Sequence, residues 1–103
     1  MMTRFYFVPS ATLAAHTPVG SWVAHSCPGD PTVTMVVVDN WSDTVAQDTW
    51  EALPGVTEVL IEHMGLPVTP AISAAVGPWG ITPGMTHRQA FQQIRRWFPA
   101  WRH

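Results

Sequence analysis

The segment Thr32–Asp39 constrains the fold more than any other part of this chain. Its sequence, Thr-Val-Thr-Met-Val-Val-Val-Asp, is an apolar, β-branched run. Strands that alternate apolar and polar residues cover one face of a sheet, whereas continuous apolar runs lie in strands buried on both faces. The segment therefore predicts the central strand of a β-sheet.

Three further segments predict strands that accompany the central one. They are rich in aromatic or β-branched residues and lie near proline, glycine or polar residues that end a strand. These predicted strands cover residues 3–8, 21–25 and 56–61.

Two segments predict amphipathic helices, at residues 43–53 and 86–98. The first places Trp50 on its apolar face, and the second begins with a capping box formed by Thr86 and Gln89. The apolar stripe of the second helix consists of Ala90, Phe91, Ile94, Trp97 and Phe98.

The order of these elements predicts an α+β fold in a single domain, residues 1–103. A strand, a helix and a strand within residues 32–61 are typical of a crossover between parallel strands. We therefore expect a small mixed sheet of about four strands, with helices 43–53 and 86–98 covering one face.

Two segments lack a strong periodic pattern. Residues 10–20 are predicted to be loop. Residues 65–84 are rich in proline and glycine and predict a long irregular segment, with one or two helical turns at residues 71–76. Long irregular segments in small domains often contact a partner.

Composition excludes several classes of protein. The 103 residues suit one domain, and a net charge of −2 argues against a globally basic nucleic-acid binder. The single cysteine, Cys27, excludes an internal disulfide framework and a multi-cysteine zinc site. No apolar stretch approaches the length of a membrane span or a secretory signal, so we expect a chain made in a cytoplasm without membrane contact.

Candidate catalytic and metal-binding residues give weak patterns. His25 and Cys27 are too close in sequence to face each other as base and nucleophile, although a distant histidine could still pair with the thiol. Glu62-His63 is a minimal metal-ligand pair, and Asp39 and Asp43 follow the predicted central strand without phosphate-binding glycines. We predict no enzyme activity, no metal and no cofactor.

Tryptophan and arginine dominate the candidate contact residues. The chain has six tryptophans and no lysine, and a core of this size does not easily bury six indole rings. Because tryptophan and arginine are frequent interface anchors, two or three of these rings are expected to bind a partner. The predicted partner-binding residues are Trp79, Arg95, Arg96, Trp101 and Arg102.

The C-terminal mixture of cations and rings also resembles single-strand nucleic-acid sites. Four arginines offer few contacts to a phosphate backbone, and Trp97 and Phe98 belong to the apolar stripe that packs the helix. Protein contact is therefore the favoured interpretation, with nucleic acid second.

Charge is segregated along the sequence. All seven acidic residues lie between Asp30 and Glu62, and four of the five arginines lie between Arg88 and Arg102. Either the two predicted helices pack together and neutralise each other, or the molecule has an acidic and a basic side that favour head-to-tail contacts. The sequence leaves both interpretations open.

Several short motifs together resemble a known group of proteins. The aromatic strand ending in Val8-Pro9, the strand Met35–Asp39 and the helix start Gly84–Ala90 are similar to small, uncharacterised proteins encoded in the structural gene modules of tailed bacteriophages. Those proteins often carry Thr-(Tyr/His)-Arg-(Gln/Glu)-(Val/Ala)-Leu, and Phe91 stands here in place of the leucine. The resemblance implies a virion component and transfers no catalytic residue.

The leading hypothesis is a bacteriophage virion protein, a capsid-decorating or head–tail joining module. It would contact other virion proteins and copies of itself, and deletion of residues 99–103 would leave the fold intact but abolish assembly. The alternative is a small phage inhibitor of a host enzyme or nucleic-acid complex. A third hypothesis is a small enzyme or metal protein that uses Cys27 or the histidines.

Overall fold

A computed structural model describes residues 3–16, 22–39 and 44–98, and the side chains of these residues apart from 39 and 44–47. Four strands form one sheet: β1 (Thr3–Pro9), β2 (Trp22–Ser26), β3 (Val33–Asp39) and β4 (Glu58–Ile61). Helices α1 (Ser10–Ala15), α2 (Thr44–Glu51), α3 (Pro70–Val76) and α4 (His87–Trp97) surround it, and a 3₁₀ turn, Gly77–Trp79, follows α3. The α+β class is thus confirmed. No helix in the described part of the chain is long and apolar enough to cross a bilayer.

The strand order is β2-β3-β1-β4, and each neighbouring pair is antiparallel. The prediction of a mixed sheet is therefore wrong, because each described pair of neighbouring strands is antiparallel. The strands β3 and β4 run in the same direction, but β1 lies between them. Phe5 of β1 pairs with Val37 on one side and Leu60 on the other. A strand as apolar as β1 is most stable at the centre of the sheet, because strands on both sides then supply hydrogen-bond partners for its backbone N–H and C=O groups.

The sheet is covered on both faces, because its central strands alternate between two cores. The first core contains Phe5, Phe7, Met35 and Val37 beneath α3, the 3₁₀ turn and α4. The second contains Tyr6, Val8, Val36 and Val38 beneath Trp50 of α2 and Leu13 of α1.

The prediction that helices 43–53 and 86–98 share one face is therefore wrong. The helices α2 and α4 lie on opposite faces, because a strand that is apolar at every position needs cover on both sides.

Aromatic rings fill both cores. Phe5 and Phe91 stack with centroids 4.1 Å apart. On the other face Trp50, which is 1% exposed, stacks on Tyr6 and meets the edge of Trp22. Each fully buried ring of this size contributes about 1.5–3 kcal/mol of transfer free energy.

Residues 10–15 form a helix where a loop was predicted. Ser10 holds its start, since its N–H donates to the Thr32 carbonyl and its Oγ lies 2.8 Å from Thr34 Oγ1. Ala11, Leu13, Ala14 and Ala15 favour helix, and the tertiary contact of Leu13 compensates for the short length.

The helical turns predicted at residues 71–76 are confirmed as α3. Thr69 caps the helix by accepting a hydrogen bond from the Ile72 N–H, and Pro70 occupies its first turn. The predicted capping box of α4 is also present: Thr86 Oγ1 accepts from Gln89 N–H and Gln89 Oε1 accepts from Thr86 N–H.

Candidate protein-contact surface

The end of α4 and the edge strand β2 meet through aromatic rings. The rings of His25 and Phe98 lie 4.3 Å apart, and Trp79 meets Phe98 edge-on at 5.1 Å. His25 projects from β2 on the face that α4 covers, because it pairs with Met35 of the first core. These contacts join the sheet edge to the C-terminal end of the helix.

Two exposed large apolar residues are close in sequence to these rings. Val23, two residues before His25 on the same face of β2, is 47% exposed, and Trp97, beside Phe98, is 54% exposed. We call Val23, His25, Trp97 and Phe98 the edge surface. Apolar groups gathered at one border of a small protein are typical of contact sites, although isolated ones are ordinary.

The predicted contact residue Trp79 lies mostly inside the molecule. It is 8% exposed, because the 3₁₀ turn directs its ring onto Phe98, and Gln93 Nε2 donates to its carbonyl oxygen at 3.3 Å. The expectation of an exposed ring in a long loop is therefore wrong. The structure exposes Trp97 instead, which the sequence placed in the packing stripe.

Arg95 and Arg96 differ in their surroundings. Arg95 Nη1 lies 3.2 Å from Glu62 Oε1, and both side chains are about one-third exposed, at 34% and 28%. Arg96, the next residue, is exposed. The remaining predicted contact residues, Trp101 and Arg102, lie outside the described residues.

The exposed charges of the described helices are divided between the two sides of the sheet. Helix α2 exposes Asp48 and Glu51, whereas α4 exposes Arg88 and Arg96. Because Trp50 anchors α2 in one core and Phe91 anchors α4 in the other, the sheet lies between these exposed charges of the two helices. Direct neutralisation of one helix by the other, one of the two interpretations of the charge pattern, is therefore wrong. Arg95 is compensated locally by Glu62.

The thiol of Cys27 is buried at 1% exposure in the first core. Burial raises its pKa to about 11, the backbone hydrogen bond with Met35 works against the shift, and the charge of Asp30 adds to it. A thiol with such a pKa is protonated at neutral pH, so it is a poor nucleophile and metal ligand. Cys27 serves here as a small core residue.

His87 is buried, at 6% exposure, and has a structural partner. Its Nδ1 accepts a hydrogen bond from the Ile61 N–H of β4 at 3.3 Å. Burial lowers its pKa, while the charge of Glu58 opposes that shift. The imidazole thereby satisfies a backbone donor at the edge strand β4 and fixes the start of α4 to the sheet.

The other sequence candidates are dispersed. Glu62 pairs with Arg95, and His63 beside it is exposed. The side chain of Asp39 and all of Asp43 lie outside the described part. Among the described residues, no three His, Cys, Asp or Glu side chains are grouped so that they could hold a metal ion.

A shallow cleft of about 150 Å³ lies at the β4 side of the molecule. Its lining residues are Tyr6, Glu51, Val56, Thr57, Glu58 and Val59. Glu58 is engaged elsewhere, since its Oε2 accepts a 2.8 Å hydrogen bond from Thr69 Oγ1. Known ligand sites are usually about 300–1,000 Å³, so this cleft is small for a substrate pocket.

The edge surface was missed in the sequence because its parts come from distant segments. Val23 gave only a short strand signal, and Trp97 looked like a packing residue. A comparison with protein-family models, with curated proteins and with solved structures finds no match.

Proposed function

We propose that this chain is a structural protein of a tailed-bacteriophage particle, a capsid-decorating or head–tail joining module that works by protein–protein contact. The observation that carries the proposal is the separation of exposed charge: Asp48 and Glu51 on one side of the sheet, Arg88 and Arg96 on the other. The resemblance of the strand and helix motifs to phage structural proteins supports the virion assignment.

Opposite charge on opposite sides favours contacts between unlike faces. A copy whose α4 side meets the α2 side of the next makes a head-to-tail contact, which closes into a ring or continues as an array. Complementary charges also guide association with other virion proteins. The exposed ring of Trp97 beside Arg96 adds the kind of side chain that anchors interfaces.

Mass spectrometry of purified virions of the phage that encodes the chain tests the proposal directly. Many copies of the chain per particle are expected. A chain abundant in infected cells but missing from the particles would overturn the virion proposal and favour the second candidate, an inhibitor of a host enzyme or nucleic-acid complex.

The charge argument has its own test, because it names the residues on one side. The double variant Arg88→Glu/Arg96→Glu is expected to lose incorporation into particles, whereas Arg88→Lys/Arg96→Lys keeps the charge and incorporates normally. Circular dichroism checks that both variants fold. Equal incorporation of the two folded variants would contradict a contact made by the basic side.

A further inference from the structure

The strand β2 is at one edge of the sheet and its outward backbone groups are identifiable. The N–H of Cys27 donates to the Val33 carbonyl at 3.3 Å, so this opposed pair is hydrogen-bonded. Opposed residues of an antiparallel pair alternate between bonded and non-bonded. His25 and Val23 therefore direct their N–H and C=O groups towards β3, and Ala24 and Ser26 direct theirs away from the sheet.

Within residues 22–26, the described strand itself lacks the residue types that keep edge strands apart. Natural edge strands carry lysine, proline, bulges or inward charges that prevent pairing with another chain. The strand Trp22–Ser26 contains none of the four ionised residue types Asp, Glu, Lys and Arg, and no proline. Its exposed residues are Val23, Ala24 and Ser26. An uncharged edge is compatible with an identical uncharged edge, whereas a charged one repels its own copy.

We propose that β2 pairs antiparallel with β2 of a second copy, about a two-fold axis at Ala24, to form one continuous eight-stranded sheet. In this register Ala24 opposes its own counterpart, and both residues direct their N–H and C=O groups outward. The pair exchanges two hydrogen bonds, and Ser26 stands opposite Trp22 of the second copy. The same strand is thus both donor and acceptor, as a two-fold contact requires.

The side chains fit this register on both faces. Ala24 has the smallest side chain of the strand and lies next to its own counterpart, so no bulky group blocks the axis. On the other face Val23 lies opposite His25 of the second copy in a non-bonded pair, where side chains approach most closely. Val23, which is 47% exposed in the single chain, is thereby covered by the edge surface of the second copy.

The dimer preserves the charge separation on which the proposed function rests. A two-fold axis between antiparallel strands of one sheet is perpendicular to that sheet, so both α2 helices lie on one side and both α4 helices on the other. Pairing through β2 therefore doubles the acidic and the basic faces without neutralising either. It deepens the proposed function by naming a second copy of the chain as the first partner.

Sedimentation of the full chain across a range of concentrations tests the pairing. We expect a monomer–dimer equilibrium, and the substitution Ala24→Pro removes only an outward N–H, which an edge strand tolerates. Loss of the central hydrogen bonds is expected to raise the dissociation constant about tenfold or more. Far-UV circular dichroism checks that the variant folds.

A second variant acts through the side chain and leaves the backbone intact. Val23→Lys places a charge at the covered position and is expected to give a monomer. Its matched control is Leu66→Lys, at a 64% exposed site in the segment after β4, the opposite edge strand. This control is expected to dimerise like the natural chain.

The proposal is overturned if the natural chain stays monomeric at about millimolar concentration, or if its dimer persists unchanged in both β2 variants. Its failure differs from failure of the proposed function. A monomer found in many copies in virions removes only the β2 pairing, whereas a β2 dimer that is missing from virions removes only the virion role.

Discussion

Two single residues, Gly29 and His87, each hold a helix in place through one hydrogen bond to a backbone group. Gly29 lies in the turn after β2, and its N–H donates to the Ala75 carbonyl of α3 at 2.9 Å. His87 fixes the start of α4 by accepting from the Ile61 N–H. Neither residue stood out in the sequence, since turn glycines and lone histidines have many roles. Their hydrogen-bond partners lie far along the chain, so no local pattern indicates these contacts.

The close approach at Gly29 leaves no room for a side chain. A Cβ at this position would collide with the Ala74 carbonyl oxygen. We expect Gly29→Ala to lower the free energy of unfolding by about 2–3 kcal/mol, since the backbone of α3 must shift. Urea unfolding measures the change. The control Gly65→Ala meets no atom within 4 Å and is expected to be neutral or slightly stabilising. Equal effects of the two substitutions would contradict this account.

Acid is expected to destabilise the protein through His87. Its folded pKa is lowered from the ordinary value of 6.5 by burial, so below that pH the unfolded chain binds more protons than the folded one. The free energy of unfolding therefore falls as pH falls below 6.5. His87→Gln keeps an acceptor for the Ile61 N–H and removes the titration.

Urea unfolding between pH 5 and pH 8 compares the natural chain with the His87→Gln variant. We expect a shallower loss in acid for the variant, with a residual slope from His25, whose pKa burial also lowers. An equally steep loss in both proteins would show that His87 does not titrate on unfolding.

At the scale of elements, local pattern predicted which segments form strands but not which strands are neighbours. The apolar run of β3 and the aromatic run of β1 were identified within one or two residues, because side-chain period and β-branching act locally. The position of β1 between β3 and β4 depends on packing across the whole sheet. Helix α1 was missed for a similar reason: Ser10 is held by Thr32 and Thr34, which no window around residue 10 includes.

Helix α4 is the element whose start was predicted most fully, and its cap is expected to contribute measurably to stability. Thr86 Oγ1 accepts from Gln89 N–H at 3.2 Å, and Gln89 Oε1 accepts from Thr86 N–H at 2.9 Å.

We expect Thr86→Ala to lower the free energy of unfolding by about 1 kcal/mol, because an N-terminal donor of the helix loses its acceptor. Chemical denaturation measures it. Thr82→Ala, an exposed threonine in the preceding loop, is the control with little expected change. A Thr86→Ala protein that loses no more stability than the Thr82→Ala control would contradict a stabilising cap.

At the scale of the whole molecule, the arrangement of layers decides what the surface presents. The sequence showed that acids and arginines are segregated, but only the placement of α2 and α4 on opposite faces turns that segregation into two charged sides. Tryptophan placement was harder to predict. Trp79 is buried against Phe98, which also packs on His25, whereas Trp97 is exposed. These ring contacts join residues that are far apart in sequence. Candidate surface residues could be proposed by type, but not assigned individually.

Because one sheet separates the two cores, damage to either core is expected to unfold both. Phe91 stacks on Phe5 and Trp50 on Tyr6, and these two partners are consecutive residues of β1. Removing either ring leaves a cavity beside the same central strand. We expect Phe91→Ala and Trp50→Ala each to lower the free energy of unfolding by about 3–5 kcal/mol. A small domain has only about 5–15 kcal/mol in total, so both variants remain marginal.

The measurement is urea unfolding followed by far-UV circular dichroism and by tryptophan fluorescence. In both variants the two signals are expected to change at the same urea concentration, because β1 belongs to both cores and neither layer can separate while that strand stays paired. Leu66→Ala, at the 64% exposed site, is the control and is expected to change stability by no more than about 0.5 kcal/mol. A Phe91→Ala protein whose fluorescence transition separates from its circular dichroism transition would contradict the shared strand, since the two cores would then unfold independently.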